Sequence, residues 1–213
     1  KLSSRRTKST VVSTTHHGLP FLKNQVITVH DLRPYDYPDS RLQHIYFHWL
    51  LPKALRRCQH ILTVSESVRD KIADYFSYPM NSISVIYNAI DTTAFSAYQK
   101  KDNYLLAIGA SWQHKNIDSL LKVSELWSSR YHLVIVAGRT DYVNTLQSYV
   151  QQHHLEDKVS FQHEVPFGEL INLYQHASAL VYPSLDEGFG IPPVEALACL
   201  TPVIVSNIPV FHE

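Results

Sequence analysis

Short apolar runs alternate with longer stretches of helical period along almost the whole chain, which is the pattern of a parallel sheet with crossover helices. The runs predict strands at 10–13, 25–30, 60–64 and 82–86, then at 104–109, 133–138, 159–162, 179–182 and 202–205. Helical spacing predicts helices at 41–57, 117–129, 143–153, 167–176 and 191–199. Pro52 is expected to kink or restart the first of these, because it lacks the N–H of an interior helix bond. Ser65 is expected to cap a further helix ending at Phe76, its hydroxyl accepting from an unpaired first-turn N–H.

One segment breaks the alternation. Residues 88–102, NAIDTTAFSAYQKKD, show neither strand alternation nor helical period. They read as the connection between two α/β units, 1–92 and 93–213. A chain of 213 residues with 45% apolar content can bury a core in each, and 18% charged residues is low for a disordered chain. Each unit is expected to be incomplete. The first lacks an opening glycine-rich turn, the second stops just after a strand, and the absence of a starting Met implies that the chain begins inside a longer protein.

Charge and cysteine content exclude several classes. Nineteen basic residues balance nineteen acidic ones, which leaves no footprint for a polyanion and argues against nucleic acid as a partner. The early cluster Lys1, Arg5, Arg6 and Lys8 reads as a solvated end. Cys58 and Cys199 stand alone without Cys-x-x-Cys spacing, as in a protein of a reducing compartment with no disulfide framework. No apolar run approaches the roughly 18 residues that a spanning helix needs. Among the thirteen histidines, His16–His17 and His153–His154 have no supporting ligand cluster, and no metal site is expected.

The chemistry concentrates in VYPSLDEGFGIPPVEALACLTPVIVS, residues 181–206. A buried strand ends at Tyr182, and a loop carrying Asp186, Glu187, Gly188, Phe189 and Gly190 comes next. A helix then starts near Ile191, where Pro192 and Pro193 are tolerated because first-turn N–H groups have no helical partner. Glycines let the backbone approach a ligand closely, and a helix N-terminus with its dipole suits a phosphate. Such a loop beyond the carboxyl end of a parallel strand is where ligands bind in this architecture. Glu187 precedes the helix and Glu195 lies about one turn into it, so both carboxylates can serve one pocket, accepting from paired sugar hydroxyls.

This stretch resembles the E-x7-E region of the family-4 glycosyltransferases, retaining enzymes with the two-Rossmann GT-B architecture. The resemblance implies that Glu187 contacts the transferred sugar and Glu195 the ribose, while the main chain of Gly188, Phe189, Gly190 and Ile191 approaches the diphosphate and sugar. Residues 104–121, YLLAIGASWQHKNIDSLL, resemble the family's opening donor-domain strand and loop. Gly109 is then the close-approach glycine and Lys115 the lysine that neutralises the departing phosphates. Many relatives carry an arginine earlier in this loop; here Ala110 to His114 occupy it. Residues 24–38, NQVITVHDLRPYDYP, resemble the acceptor-side strand that ends in a His, which makes His30 a partner of the sugar or phosphate. Val165 falls where relatives use main-chain groups to hold the base, with His163 in place of a nearby Gly. Leu200 stands where relatives often have Gly.

The implied activity is transfer of a hexose-type sugar from a nucleoside diphosphate to an acceptor hydroxyl with retention, in surface polysaccharide or glycolipid synthesis, without a metal or other cofactor. The implied partners are a nucleotide sugar and a saccharide or lipid-linked saccharide acceptor. The implied location is cytoplasmic, with peripheral association at the inner face of a membrane where the acceptor is lipid-linked. Two alternatives stay open: a truncated, inactive protein that binds nucleotide or supports a partner, and a GT-B sugar-nucleotide epimerase. The EGFGIPPVEAL segment argues against the second.

Overall fold

Residues 9–98 and 100–213 are described by a computed structural model; the cluster Lys1, Arg5, Arg6 and Lys8 lies outside them. Contacts divide the chain into two units. The first runs to Asn88 and also takes in Glu187–Phe189 and His212–Glu213; the second comprises Ala89–Asp186 and Gly190–Phe211. The boundary therefore falls before 92. Phe95 is buried, with Ile90 and Ala94 beside it, in a core cluster of the second unit, so the start of the irregular connection packs with that unit.

In the first unit, β1 (Val11–Ser13), β2 (Gln25–Val29), β3 (His60–Thr63) and β4 (Ile83–Val85) form a parallel sheet in sequential order. Apolar residues of β2 and β3 (Ile27, Val29 and Ile61) are fully buried. A short helix, α1 (Arg33–Asp36), follows β2 and was not expected from the sequence. The segment expected to kink at Pro52 is α2 (Arg41–Ile45), a π-helical stretch Tyr46–Leu50, and α3 (Leu51–Leu55). The Leu51 N–H bonds the Tyr46 carbonyl, and the restarted helix holds Pro52 in its first turn, where no N–H is needed. Helix α4 (Glu66–Phe76) is capped by Ser65, whose hydroxyl accepts from the Val68 N–H at 3.2 Å. Val68, Ile72 and Phe76 recur at helical spacing and join Leu51, Ala54 and Leu55 in the unit's core.

The second unit has five parallel strands in the order β7-β6-β5-β8-β9: β5 (Tyr104–Ile108), β6 (His132–Val136), β7 (Val159–Gln162), β8 (Ala179–Tyr182) and β9 (Val203–Val205). Strand side chains alternate between faces, so Leu105 and Ala107 enter one core and Leu106 and Ile108 the other. Helices α5 (Ile117–Lys122) and α6 (Asp141–Gln152) cover the first face through Ile117, Leu121, Val143 and Leu146. Helices α7 (Phe167–His176) and α8 (Ile191–Ala198) cover the second through Tyr174 and Ala196. Both faces being buried explains why these strands read as continuous apolar runs.

The expected helix 117–129 stops at Lys122 and gives way to a 3₁₀ turn at Ser124–Leu126. The buried Trp127 ring donates Nε1–H to the Leu120 carbonyl at 3.0 Å, taking the acceptor that a continuing helix would offer to Ser124.

Candidate functional site

The strand order of the second unit reverses between β5 and β8, and the loops after these two strands leave the sheet side by side at its carboxyl edge, the switch point where open α/β sheets bind ligands. Backbone and side-chain bonds join the two loops. The Leu185 N–H bonds the His114 carbonyl at 2.8 Å, and Asn116 Nδ2 donates to the Pro183 carbonyl at 3.2 Å. On the other flank, Ser111 Oγ accepts from the Gly138 N–H at 2.7 Å and Thr140 Oγ1 donates to the Ser111 carbonyl at 2.8 Å. The loop after β5 is thereby fixed on both sides.

Gly109 turns that loop with φ of +71°. A Cβ at Gly109 would sit 3.7 Å from Lys115 Cε, so these two residues are neighbours. Lys115 donates Nζ–H to the Tyr182 hydroxyl at 2.7 Å and lies 4.9 Å from that ring's centroid. Tyr182 is nearly fully buried at the end of β8, so it gives the ammonium a fixed seat at the switch point. A cation held there, beside a turn with close backbone access, suits the charge of a diphosphate.

Gly190 is the N-cap of α8 with φ of +89°, a conformation that an L side chain enters only with strain. A Cβ there would also come within 2.5 Å of the Phe211 ring. Because Pro192 and Pro193 carry no N–H, the first-turn main-chain donors are those of Gly190 and Ile191, and no side-chain cap closes this end. Glu195 is half-buried on the same helix, and its Oε2 accepts from the Tyr174 hydroxyl at 2.6 Å. Burial, with the Glu195 carboxylate next, pushes the Tyr174 phenol well above its ordinary range. The phenol therefore stays protonated and donates.

Val165 lies half-exposed between β7 and α7, in neither element. The left-handed residue near it is Glu164, with φ of +54°, while His163 bonds the Ala137 carbonyl through Nδ1 at 2.8 Å.

The other predicted residues belong to the first unit. His30 is exposed at the end of β2, and its Nε2 bonds the Thr14 carbonyl at 2.8 Å. A carbonyl only accepts, so Nε2 carries hydrogen in this bond. Gly188 lies against the His30 carbonyl so closely that a Cβ would collide with it, and Ser65 Oγ donates to the Gly188 carbonyl at 2.6 Å. Phe189 lies 6.4 Å from the Tyr87 ring, centroid to centroid, and Glu187 is half-buried. The first unit thus groups His30 with Glu187, Gly188 and Phe189; the second groups Gly109 with Lys115, and Gly190 with Ile191 and Glu195.

Sequence reasoning missed Tyr182 and Tyr174. Both fall at apolar positions of periodic runs and read as core, and only the fold shows that their hydroxyls meet Lys115 and Glu195. It also missed Ser184, whose buried hydroxyl has no hydrogen-bond partner among the described residues. No cluster of three or more His, Cys, Asp or Glu side chains suited to a metal occurs among the described residues.

A doubly wound parallel sheet with a cation and a helix N-terminus at its switch point is a Rossmann-type unit of the kind found in GT-B folds. Residues 91–213 match the family described as Glycosyl transferases group 1, and residues 2–94 match Glycosyltransferase Family 4. The chain belongs to this family of glycosyltransferases. It is 57% identical, over 95% of its length, to the O-antigen chain mannosyltransferase RfbU of Salmonella typhimurium, and spans 58% of that protein. It is 31% identical over 91% of its length to the O-antigen chain mannosyltransferase B of Escherichia coli, spanning 57% of it. Solved structures show the same fold. Anabaena HepE in complex with UDP-glucose superposes with a TM-score of 0.74 at 18% identity, over 88% of this chain and 54% of that one. WaaG, a glycosyltransferase involved in lipopolysaccharide biosynthesis, gives 0.73 at 15% identity, over 95% and 61%.

Proposed function

We propose that this chain forms the donor-binding part, and a portion of the acceptor-side part, of a retaining mannosyltransferase that extends a surface polysaccharide of the O-antigen type. The observation that carries this reading is the grouping at the switch point: Lys115 seated on Tyr182, an N-terminus of α8 with two main-chain donors, and Glu195 one turn into that helix. Identity of 57% to an O-antigen chain mannosyltransferase supports mannose as the sugar.

In this reading the diphosphate lies against the Gly190 and Ile191 N–H groups and Lys115, whose charge stabilises the phosphate as the glycosidic bond breaks. Glu195 accepts from the ribose hydroxyls, and Glu187 accepts from hydroxyls of the transferred sugar. His30 hydrogen-bonds the sugar or the departing phosphate, and Val165 offers main-chain groups to the base. The acceptor hydroxyl attacks from the face that the phosphate leaves, and the departing phosphate collects its proton. No protein carboxylate acts as nucleophile, so the chain contributes positioning and charge stabilisation. Charge neutralisation by Lys115 and the helix end makes a metal unnecessary. The acceptor is a lipid-linked saccharide met at the cytoplasmic face of a membrane. Any attachment of this part of the chain to that face is proposed to be peripheral; among the described residues no helix is long and apolar enough to cross a membrane.

Calorimetric titration with UDP, GDP and their sugar conjugates tests the site. One nucleotide is expected to bind, with affinity unchanged by EDTA, and Glu195→Ala is expected to lose about ten-fold in affinity, the scale of hydrogen bonds to a charged acceptor. Equal affinity in the variant removes the ribose role, and loss of binding in EDTA removes the metal-free one.

A further inference from the structure

Tyr174 is fully buried on α7, and its hydroxyl reaches Glu195 on α8. A phenol in the core cluster that holds Phe95, Leu180 and Ala196 needs a partner, because a buried hydroxyl left unpaired is costly. A carboxylate only accepts, so the bond has one direction: Tyr174 donates and Glu195 Oε2 receives. The Tyr174 main chain is fixed as well. Thr201 Oγ1 donates to the Tyr174 carbonyl at 2.5 Å, and Lys101 Nζ donates to Thr201 Oγ1 at 2.8 Å and to the Gln175 carbonyl at 2.7 Å. A chain of bonds thus runs from Lys101 through Thr201 and Tyr174 to one oxygen of Glu195. The hydroxyl occupies Oε2 and leaves Oε1 for a ligand.

We propose that Tyr174 is a positioning residue of the donor site: its hydroxyl locks the Glu195 carboxylate in one rotamer, so that Oε1 meets the vicinal ribose hydroxyls of a nucleoside diphosphate without an ordering cost on binding. The proposal rests on the ribose role given to Glu195 above. A glutamate side chain has three rotatable bonds, and fixing them before the ligand arrives raises affinity by lowering what binding must order. The effect is confined to the ribose. A nucleotide without those hydroxyls makes no use of Oε1 and gains nothing from the lock.

The test uses the full 213-residue chain and Tyr174→Phe, which removes the hydroxyl and keeps the ring in the core. Affinities are measured for UDP, GDP and their 2′,3′-dideoxy counterparts. The wild type is expected to prefer the ribonucleotide, and Tyr174→Phe to bind it about ten-fold more weakly while its affinity for the dideoxy form stays within about two-fold. In a Glu195→Ala background, adding Tyr174→Phe is expected to change nothing further. Equal weakening for both nucleotides assigns Tyr174 a purely structural role and overturns the proposal. Discrimination lost in Glu195→Ala but intact in Tyr174→Phe overturns the positioning role alone. Wild-type affinity in Glu195→Ala, or no binding of either nucleotide by the wild type, overturns the reading of Glu195 and the proposal with it. Should Tyr174→Phe fold poorly, the Glu195 side-chain rotamer is read by NMR in the nucleotide-free wild type. A single populated rotamer supports the lock, and averaging over several overturns it.

Discussion

Leu200 shows how one side chain can sit against its backbone. It comes after α8 with φ of +54° and is 63% exposed, so it occupies the left-handed region with only partial burial of its side chain in compensation. An L residue there costs about 1–2 kcal/mol through the clash of Cβ with the carbonyl, and glycine avoids that clash at a smaller entropic cost. Leu200→Gly is therefore expected to raise stability by about 0.5–1 kcal/mol, read as a higher urea midpoint at unchanged slope. An unchanged or lower midpoint means that the side chain contributes something its exposure conceals. The resemblance to family-4 enzymes marks this position as one where glycine is frequent, and the dihedral gives the reason.

At the scale of elements, Lys101 links the ends of two helices. Its ammonium donates to the Gln175 carbonyl near the end of α7, at 3.4 Å to the Cys199 carbonyl just after α8, and to Thr201. The two carbonyls are ones that a helix end leaves unpaired, and burial of the ammonium lowers the Lys101 pKa from its ordinary value. Lys101→Met keeps the aliphatic stem and removes the donors, so a loss of about 1–3 kcal/mol is expected, measured by chemical denaturation. A change within about 0.3 kcal/mol implies that water takes over all three bonds.

Much at this scale was legible from the residues alone. Strand centres were readable because both sheet faces are buried and the runs are apolar throughout, and the Ser65 cap because its hydroxyl begins the helical period. The rest depended on distant partners. The early end of α5 depends on where the Trp127 ring goes, and the α1 turn has only four residues in which to show a period. Within the site, Lys115 and Glu195 stood out as charges in a glycine-bearing context, whereas Tyr174 and Tyr182 act through single hydroxyls on residues that pack as core. Periodicity reports the ring and is blind to the oxygen.

For the molecule as a whole, ligand binding and stability are linked. A nucleotide that binds only the folded site stabilises it by about 2.7 kcal/mol at a concentration about one hundred times its Kd. Trp112 lies on the loop between Gly109 and Lys115, and Trp127 in the core beneath α5; both belong to the second unit, while Trp49 belongs to the first. In a Trp49→Phe variant, fluorescence reports the second unit alone. Saturating nucleotide is expected to change the emission of the exposed Trp112 and to raise the thermal midpoint observed at Trp127. A midpoint independent of nucleotide concentration removes the switch point as the binding site.

The reversal of strand order between β5 and β8 also has a consequence for biosynthesis. Lys115 leaves the ribosome long before Tyr182, its seat, and before the Gly190 N-terminus of α8. Strands β5, β6 and β7 can pair in the order they emerge, but β5 waits for β8 across the whole intervening chain. Closing that long loop is the slow, non-local step of such a sheet. The Lys115–Tyr182 pair and the α8 N-terminus are thus among the last features of their unit to exist during synthesis. A nascent chain paused before β8 holds its lysine but has nowhere to place it, and the nucleotide binding proposed above would mark that synthesis of the unit has run through α8.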